Sequence, residues 1–321
     1  MKVLVFGGTQ FVGRHTVEVL LERGYEVSVL NRGVTKDLLP KEVERIRADR
    51  SRAEEVIAAL SGRSFDAVVD CIGFQPEQLQ TAIDIFHDRI ERYVFISSVS
   101  VYQPAARFLI DETFPVLRTS KWEYAQGKVH CEEVLLAAAR DKGFPVVIFR
   151  PAYIYGPYNN NPEWELKFFA RIEQGQKVLI PGEGDFIFQH GHARDLAYAS
   201  AAAIERREST GNAYTITGAY AVTATEYVRT VGRAMGREVE MAHVPGPVDR
   251  RKAAEYFPFQ PRPNLIFSIE RARRDLAWEP RFDLLSGHRD TYRWYVESGF
   301  GKTHQYDFSR EDEIIASLSP V

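Results

Sequence analysis

The sequence predicts a doubly wound α/β fold built on a parallel sheet. Over the first 150 residues, short apolar runs alternate with longer helix-like stretches. Such alternation implies right-handed crossover connections, which place helices on both faces of the sheet. A glycine cluster directly follows the first apolar run, as is typical of a tight strand-to-helix turn. With 321 residues, 45% of them hydrophobic, the chain is long enough to bury a large core.

Apolar runs of strand length provide the elements of this sheet. Several of the runs are rich in β-branched residues, which favour strands. They are VLVF (3–6), VSVL (27–30), VERI (43–46), AVVD (67–70), YVFI (93–96) and VVIF (146–149). In the helix expected after the first run, Val17, Leu20 and Leu21 recur at helical spacing, and Gly24 provides the stop.

The pattern changes after residue 150. Proline and glycine become frequent, and strand-like segments such as VLI (178–180) and AYTIT (213–217) are isolated. We therefore predict a dinucleotide-binding domain over residues 1–153. Residues 154–321 are expected to form mainly a smaller substrate-binding lobe, interleaved with the last elements of the sheet.

Composition excludes several classes of protein. The net charge of -3 and the pI near 6.3 offer no overall attraction to nucleic acid or to an anionic membrane. The apolar run at the N-terminus is too short for a signal peptide or a membrane span. Two cysteines, Cys71 and Cys131, are too few for a disulfide framework or a zinc cage. We expect a cytoplasmic protein without a membrane anchor.

The stretch VFGGTQFVG, residues 5–13, predicts a pyrophosphate-binding loop. Glycine allows a sharp turn and a close approach of the main chain to phosphate, and the following helix N-terminus attracts anions. Gln10 stands where the fingerprint usually has glycine. The alternative is an ordinary turn between a strand and a helix. The residues expected to contact the cofactor here are Gly7, Gly8, Thr9, Gln10, Phe11, Val12 and Gly13.

The residues after the next strands bear on the choice of cofactor. Asn31 and Arg32 follow the second strand, where an acidic residue usually binds the ribose of NAD. Arg32 can pair with a 2′-phosphate, so the sequence favours NADP without excluding NAD. Asp49 is expected at the adenine end, or alternatively as a helix cap. Cys71, predicted to be an unreactive thiol, and Pro151 complete the expected cofactor contacts.

A YxxxK pair, Tyr124 and Lys128, lies within a helix-like stretch. Residues four apart share one helix face, so the ammonium can lie near the phenol and lower its pKa. Ser98 follows the fifth strand, at the edge of the sheet where ligands bind. These three residues are the predicted catalytic set; the alternative is that Tyr124 and Lys128 are two surface helix residues.

An ordered set of motifs carries a family resemblance over nearly the whole chain. They are GGTQFVG, SSVSVY, YAQGK, FRPAYIYGP, HARDLA and LAWEPRFDLLSG. In these the chain resembles the extended short-chain dehydrogenases/reductases, the NAD-dependent epimerase/dehydratase group. The resemblance implies a Rossmann-type domain and a nicotinamide cofactor. It further implies that Ser98 orients the substrate oxygen, that Tyr124 exchanges its proton, and that Lys128 lowers the phenol pKa and holds the nicotinamide ribose.

Departures from the family pattern concern the substrate. Gln10 replaces a glycine, Tyr153 stands where members acting on nucleotide sugars have an asparagine that contacts the diphosphate, and Phe188 replaces an arginine. These changes remove anion-binding groups, so a smaller or less charged substrate is expected. The predicted substrate contacts are Ser100, Tyr102, Tyr153, Tyr155, Phe188 and His190.

Two features of this second half allow more than one interpretation. The aromatic cluster YIYGPY (153–158) can line a pocket or fill the joint between the lobes. His190, His192 and Asp195 suggest a metal site, but no further ligand is evident, and we predict that no metal is bound.

A narrower resemblance leaves a second function open. The motifs GGTQFVG, RPAYIYGPYNNNP, QHGHARDLA, FPFQPRP followed by LAWEPRFDL, and YDFSREDEII resemble the branch with the chloroplast stem-loop-binding RNA proteins and their bacterial relatives. Because Tyr124 and Lys128 are present and the pI is acidic, we favour an enzyme acting on a small molecule. The alternative is an RNA-binding protein with a vestigial or regulatory nucleotide site. The family also implies a homodimer, formed through the helices at 76–87 and around Tyr124.

Overall fold

The computed structural model describes residues 1–36, 38–103, 109–259 and 266–318. The end of the FPFQPRP motif, from residue 260 onwards, lies outside the described residues. The strands are β1 (Lys2–Phe6), β2 (Glu26–Asn31), β3 (Glu44–Arg47), β4 (Ala67–Asp70), β5 (Arg92–Ile96), β6 (Val146–Pro151), β7 (Tyr153–Tyr155), β8 (Val178–Pro181), β9 (Ile187–His192), β10 (Ala213–Ile216), β11 (Ala221–Thr223) and β12 (Met241–Val244). The six runs predicted before residue 150 thus correspond to β1–β6.

Seven of these strands form one parallel sheet, in the order β10-β6-β5-β4-β1-β2-β3. In its centre, Val5 of β1 lies opposite Val29 of β2 and Val69 of β4. All three are buried, because helices cover both faces of the sheet. The predicted doubly wound α/β fold is therefore confirmed.

The helices flank this sheet and build the lobe. They are α1 (Phe11–Glu22), α2 (Ala53–Leu60), α3 (Pro76–Phe86), α4 (Glu123–Lys142), α5 (Glu165–Glu173), α6 (Ala193–Glu205), α7 (Ala224–Met235), α8 (Arg250–Ala253), α9 (Glu270–Leu276), α10 (Leu284–Glu297), α11 (Phe300–Thr303) and α12 (Ser309–Ser317). Apolar side chains of α1, α6 and α9 pack on one face of the sheet. Those of α2, α3 and α4 pack on the other.

The lobe has a separate core that is dominated by aromatic rings. It joins α5, α7 and α10 with β8 and β9, and includes Phe168, Phe188, Tyr227 and Phe259. Two small sheets, β11-β9-β7 and β12-β8, lie within this part of the chain. Because β7 begins two residues after β6 ends, the lobe directly adjoins the carboxyl edge of the large sheet.

Candidate active site

A cleft of about 1270 Å³ runs along the carboxyl edge of the large sheet. It receives the residues that follow β1 to β6, which is where ligands of doubly wound folds bind. Of the residues predicted from sequence, the cleft is lined by Gly7, Gly8, Thr9, Gln10, Phe11, Val12, Gly13, Asn31, Arg32, Asp49, Cys71, Ser98, Ser100, Tyr124, Lys128, Pro151 and Tyr153.

The glycine loop has the geometry of a cradle for pyrophosphate. Gly8 has a φ of +88°, and a Cβ there would lie 2.5 Å from Val29 Cγ1. A Cβ on Gly13 would lie 2.5 Å from the Gly8 backbone nitrogen, so α1 can approach the loop only through glycine. Gln10 precedes the first residue of α1 and makes no side-chain cap hydrogen bond. The N–H groups at the start of α1 are not used within the helix, and the glycine loop lets the main chain approach a ligand closely. Together these two features fit the pyrophosphate of a dinucleotide.

The adenosine end of the cleft lies beyond β2 and β3. The Asn31 Oδ1 atom accepts a 2.8 Å hydrogen bond from the Gly33 backbone, so this side chain shapes its own turn. Asp49 accepts hydrogen bonds from the hydroxyl and backbone N–H of Ser51, which hold the pKa of its carboxyl below the usual value. Arg32 lines both the cleft and an adjoining 270 Å³ cavity, which it shares with Arg47 and Arg52.

Lys128 is buried where α4 meets the ends of β4 and β5. Its Nζ donates to the Gly73 carbonyl at 2.8 Å and to the Ile96 carbonyl at 2.7 Å. Burial lowers the pKa of Lys128 to about 8, against the opposing effect of Asp70, so the ammonium form predominates at neutral pH. An ammonium has three N–H groups, and two are used here. Lys128 can therefore still donate one hydrogen bond into the cleft.

Tyr124 lies near Lys128 and Ser98. Partial desolvation raises the pKa of Tyr124 above 10.0, although 39% of the residue is exposed to water, and the Ser98 side chain opposes this rise. The Lys128 Nζ lies 5.9 Å from the centre of the Tyr124 ring. Two of the Lys128 N–H groups point at backbone carbonyls, as described above, and the lowering of the Tyr124 pKa by Lys128 stays a prediction.

Cys71 forms part of the cleft wall after β4. Burial raises the pKa of its thiol to about 12, which keeps the sulfur protonated at neutral pH. This agrees with the unreactive thiol predicted from the sequence.

A buried ion pair holds the turn that carries Ser98. The Glu132 carboxylate accepts two hydrogen bonds from Arg150 Nε, at 3.1 and 3.2 Å, and one from Nη2 at 2.6 Å. Ser97 Oγ also donates to this carboxylate, at 2.6 Å. All three side chains are nearly inaccessible to water. The pair therefore fixes the backbone one residue before Ser98.

A second buried network lies under the adenosine end. Asp70 Oδ2 accepts hydrogen bonds of 2.6 Å from both Arg50 Nη2 and the Tyr93 hydroxyl. The Arg50 guanidinium also packs 4.0 Å from the centre of the Phe6 ring. Sequence reasoning missed this network, because Arg50 and Asp70 belong to different strand ends and only the parallel sheet brings them together.

The substrate end of the cleft has an aromatic wall. Tyr153, Trp164, Trp122 and Phe74 line it together with Tyr124. Only Tyr124 and Tyr153, of these five rings, were predicted from the sequence to lie at the site. Trp122, two residues before Tyr124 in the chain, could have been found from the start of α4, but Trp164 and Phe74 carry no local signal because distant loops deliver them.

Four predicted substrate contacts lie in the packed interior and not on the cleft wall. Tyr102 and Tyr155 are buried, with their hydroxyls bonded to Thr215 and to the Asp283 carbonyl. Phe188 and His190 are buried among the aromatic rings of the lobe. These contacts hold the four side chains inside the protein, so their placement does not support direct contact with a substrate.

Metal sites and membrane spans are the two remaining kinds of feature considered for the described residues. Among the described residues, no three His, Cys, Asp or Glu side chains are grouped so as to hold a metal ion. No helix in the described ranges is both long and apolar enough to cross a membrane.

Comparisons with known proteins agree with this geometry. A model of the NAD dependent epimerase/dehydratase family matches residues 3–217. The chain is 30% identical to the chloroplast stem-loop binding protein of 41 kDa b from Arabidopsis thaliana, over 98% of this chain and 84% of that protein. It is 26% identical to a 3 beta-hydroxysteroid dehydrogenase/Delta 5-->4-isomerase from Mycobacterium tuberculosis, over 92% and 90% of the two chains.

A similar fold is found among solved structures. The dTDP-glucose 4,6-dehydratase of Bacillus anthracis, solved in complex with NAD, superposes with a TM-score of 0.76 at 19% sequence identity. The match covers 94% of this chain and 98% of that chain. At this level of identity the likeness concerns the fold.

Proposed function

Because the chain belongs to the NAD-dependent epimerase/dehydratase family of extended short-chain dehydrogenase/reductase enzymes, we propose that it transfers hydride and a proton at a carbonyl or secondary alcohol. The substrate is a small or sugar-like molecule, and Ser98, Tyr124 and Lys128 are the catalytic residues. The observation that carries this proposal is that Ser98, Tyr124 and the buried Lys128 line the same cleft as the glycine loop.

The chain's own residues suggest how the reaction proceeds. When bound, the nicotinamide supplies a hydride donor or acceptor. Tyr124 gives its phenolic proton to the substrate oxygen during reduction and takes it back during oxidation. Ser98 hydrogen-bonds the same oxygen and keeps it within reach of the phenol. The Lys128 ammonium favours the phenolate once the remaining N–H group is turned into the cleft.

The family is NAD dependent, and the finer choice between NAD and NADP is a separate proposal. Arg32, Arg47 and Arg52 line the small cavity at the adenosine end, together with Asp49 and Glu55. The last residue of β2 is Asn31, where an acidic residue would bind the ribose of NAD. Guanidinium groups bind a phosphate well. We therefore propose that NADP binds somewhat more tightly than NAD, and that an Arg32→Ala variant loses this preference in calorimetric titrations.

The catalytic assignment is tested with Tyr124→Phe. NAD and NADP affinities are measured first, by calorimetry, and turnover is then followed by NADH or NADPH absorbance over a panel of secondary alcohols and ketones. We expect turnover to fall by about 100-fold or more while cofactor affinity stays within about twofold. Tyr220→Phe, at an exposed position outside the cleft lining, is the matched control. Unchanged turnover in Tyr124→Phe removes this residue from the mechanism.

RNA binding is the second proposed function, and it is supported by the relative named as a stem-loop binding protein. If it holds, the purified protein binds RNA hairpins with an affinity that falls steeply as salt rises. Absence of any cofactor affinity, together with such RNA binding, favours this function over the enzyme. The homodimer through α3 and α4 and the cytoplasmic location stay predictions, which light scattering and cell fractionation can check.

A further inference from the structure

We infer that the substrate end of the cleft accepts an uncharged ring with an apolar face, which stacks on Tyr153, in preference to a nucleoside diphosphate sugar. This inference rests on the proposed function, since it places the ring next to Ser98 and Tyr124. It names the substrate class that the catalytic residues leave open.

Tyr153 is built as a rigid platform. The His190 ring is stacked on it, with 5.4 Å between centroids and 25° between planes. Trp164 and Phe259 meet it edge to face, at 5.7 and 5.5 Å. Tyr153 is nevertheless only half-buried, and its remaining surface lines the cleft. A ring held from three sides loses little freedom when a ligand stacks on its open face.

The segment that carries Trp164 is also anchored from inside. Glu165 is fully buried, and its carboxylate accepts hydrogen bonds from the Gly156 backbone at 3.1 Å and from Asn159 Nδ2 at 2.9 and 3.0 Å. These bonds close the loop between β7 and α5. The wall formed by Tyr153 and Trp164 is therefore in place before any ligand binds.

Most of the charged side chains that line the cleft lie at its adenosine end, away from Tyr153. Among the described lining residues the charged ones are Arg32, Asp49, Arg50 and Lys128. The first three follow β2 and β3, at the adenosine end, and the Lys128 ammonium already donates to two carbonyls. A diphosphate needs cationic or N–H partners to leave water. The described lining near Tyr153 carries no charged side chain: it includes Ala152, Ile154 and Pro258, with the Asn160 amide as a neutral N–H donor.

The experiment compares a neutral ring with a charged nucleotide directly. The probes are 2-tetralone, a neutral bicyclic ketone, and UDP-glucose, and each is titrated calorimetrically with and without saturating NAD. A separate titration with NAD alone tests the proposed function, so its failure is distinguishable from failure of the substrate inference.

We expect 2-tetralone to bind at least about tenfold more tightly than UDP-glucose.

Tyr153→Leu keeps an apolar side chain but removes the aromatic face, and it should weaken the binding of 2-tetralone by about three- to tenfold. Tyr153→Phe keeps the aromatic face and should bind 2-tetralone as the wild type does. Tyr220→Leu is the control for loss of a tyrosine outside the cleft lining. Should Tyr153→Leu not fold, Trp164→Leu tests the same wall. Tighter binding of UDP-glucose than of the ketone, or an unchanged ketone affinity in the folded wall variant, overturns the inference.

Discussion

The floor beneath the carboxyl edge of the sheet and the aromatic core of the lobe bury ionisable groups in opposite ways. In the floor, Arg150 faces Glu132 and Arg50 faces Asp70, so each buried charge meets an opposite one. In the lobe core, Glu165 meets neutral N–H donors. His190 and His288 have no hydrogen-bond partner for either ring nitrogen among the described residues.

This difference shows which interactions hold each region in place. Paired charges fix the strand ends that carry Ser98, at a high cost if one partner is removed. The lobe core is ordered by ring packing, such as His288 against Tyr155 at 4.7 Å and Tyr227 at 4.9 Å. Burial there opposes charge on the ionisable groups: it lowers the pKa of His288 to about 3 and raises that of Glu165 to about 7.

The largest effect is expected from breaking a pair in the floor. Glu132→Ala leaves the Arg150 charge buried without its partner, and we expect the free energy of unfolding to fall by about 3–5 kcal/mol. Urea unfolding gives this value. A double variant with Glu132→Leu and Arg150→Met should recover most of the loss, because neither charge then remains. A loss below about 1 kcal/mol in Glu132→Ala would contradict the paired-charge description.

The next effect concerns Glu165, whose pKa is raised in the fold. Such a carboxyl favours folding below the pKa of the unfolded chain, near 4.5, and this contribution is lost as pH rises towards 7. Between pH 5 and 7.5 it amounts to about 2–3 kcal/mol. Glu165→Gln should lack this change, so its stability should decline less than that of the wild type over the same range. Parallel stability curves for the two proteins would refute the assignment.

His288 should act in the opposite direction and slightly more weakly. Its pKa is depressed, so the unfolded chain binds a proton that the folded chain excludes, and stability is lost as pH falls below about 6.5. At pH 5 this costs about 2 kcal/mol. His288→Phe keeps the ring and should lose about that much less than the wild type between pH 7.5 and 5, measured by urea unfolding. His243→Phe, at an exposed histidine outside this core, is the control.

The smallest effect is expected at an exposed pair of the lobe. Arg310 donates to Glu255 at 2.8 and 2.9 Å, but both side chains are about half exposed to water. Solvent screens such a pair. Arg310→Ala should therefore leave the urea midpoint unchanged within error at pH 7.5. A clear shift of the urea midpoint would show that paired charges stabilise the lobe surface as well, and the lobe would then differ less from the floor.

The parts of this molecule that could be predicted from sequence are those set by local patterns. The runs before residue 150 predicted β1–β6, because buried parallel strands are continuous apolar segments. The glycine loop, Ser98, Tyr124 and Lys128 were placed in one cleft, because residues after parallel strands meet at one edge. The YxxxK spacing did bring Lys128 near Tyr124.

What could not be predicted depends on which distant groups meet. The direction of the Tyr124 pKa depends on burial and on where the Lys128 N–H groups point, and the carbonyls of Gly73 and Ile96 decide the latter. Likewise, Tyr155 and His190 were expected in the cleft because of their neighbours in the chain. Their side chains instead belong to the lobe core, where Tyr155 packs against His288 and His190 packs against Tyr227.

The position of β10 in the large sheet has a consequence for synthesis. This strand, Ala213–Ile216, pairs with β6, although more than sixty residues separate them in the chain. Until it emerges from the ribosome, β6 is an open edge, and the sheet face later covered by α6 is bare. The nascent first half is thus a species with an exposed edge and an apolar face, the kind that chaperones shield. A fragment that ends at residue 153 lacks β10 and should aggregate. A fragment that extends past residue 216 contains β10, which covers the open edge of β6, and should aggregate less.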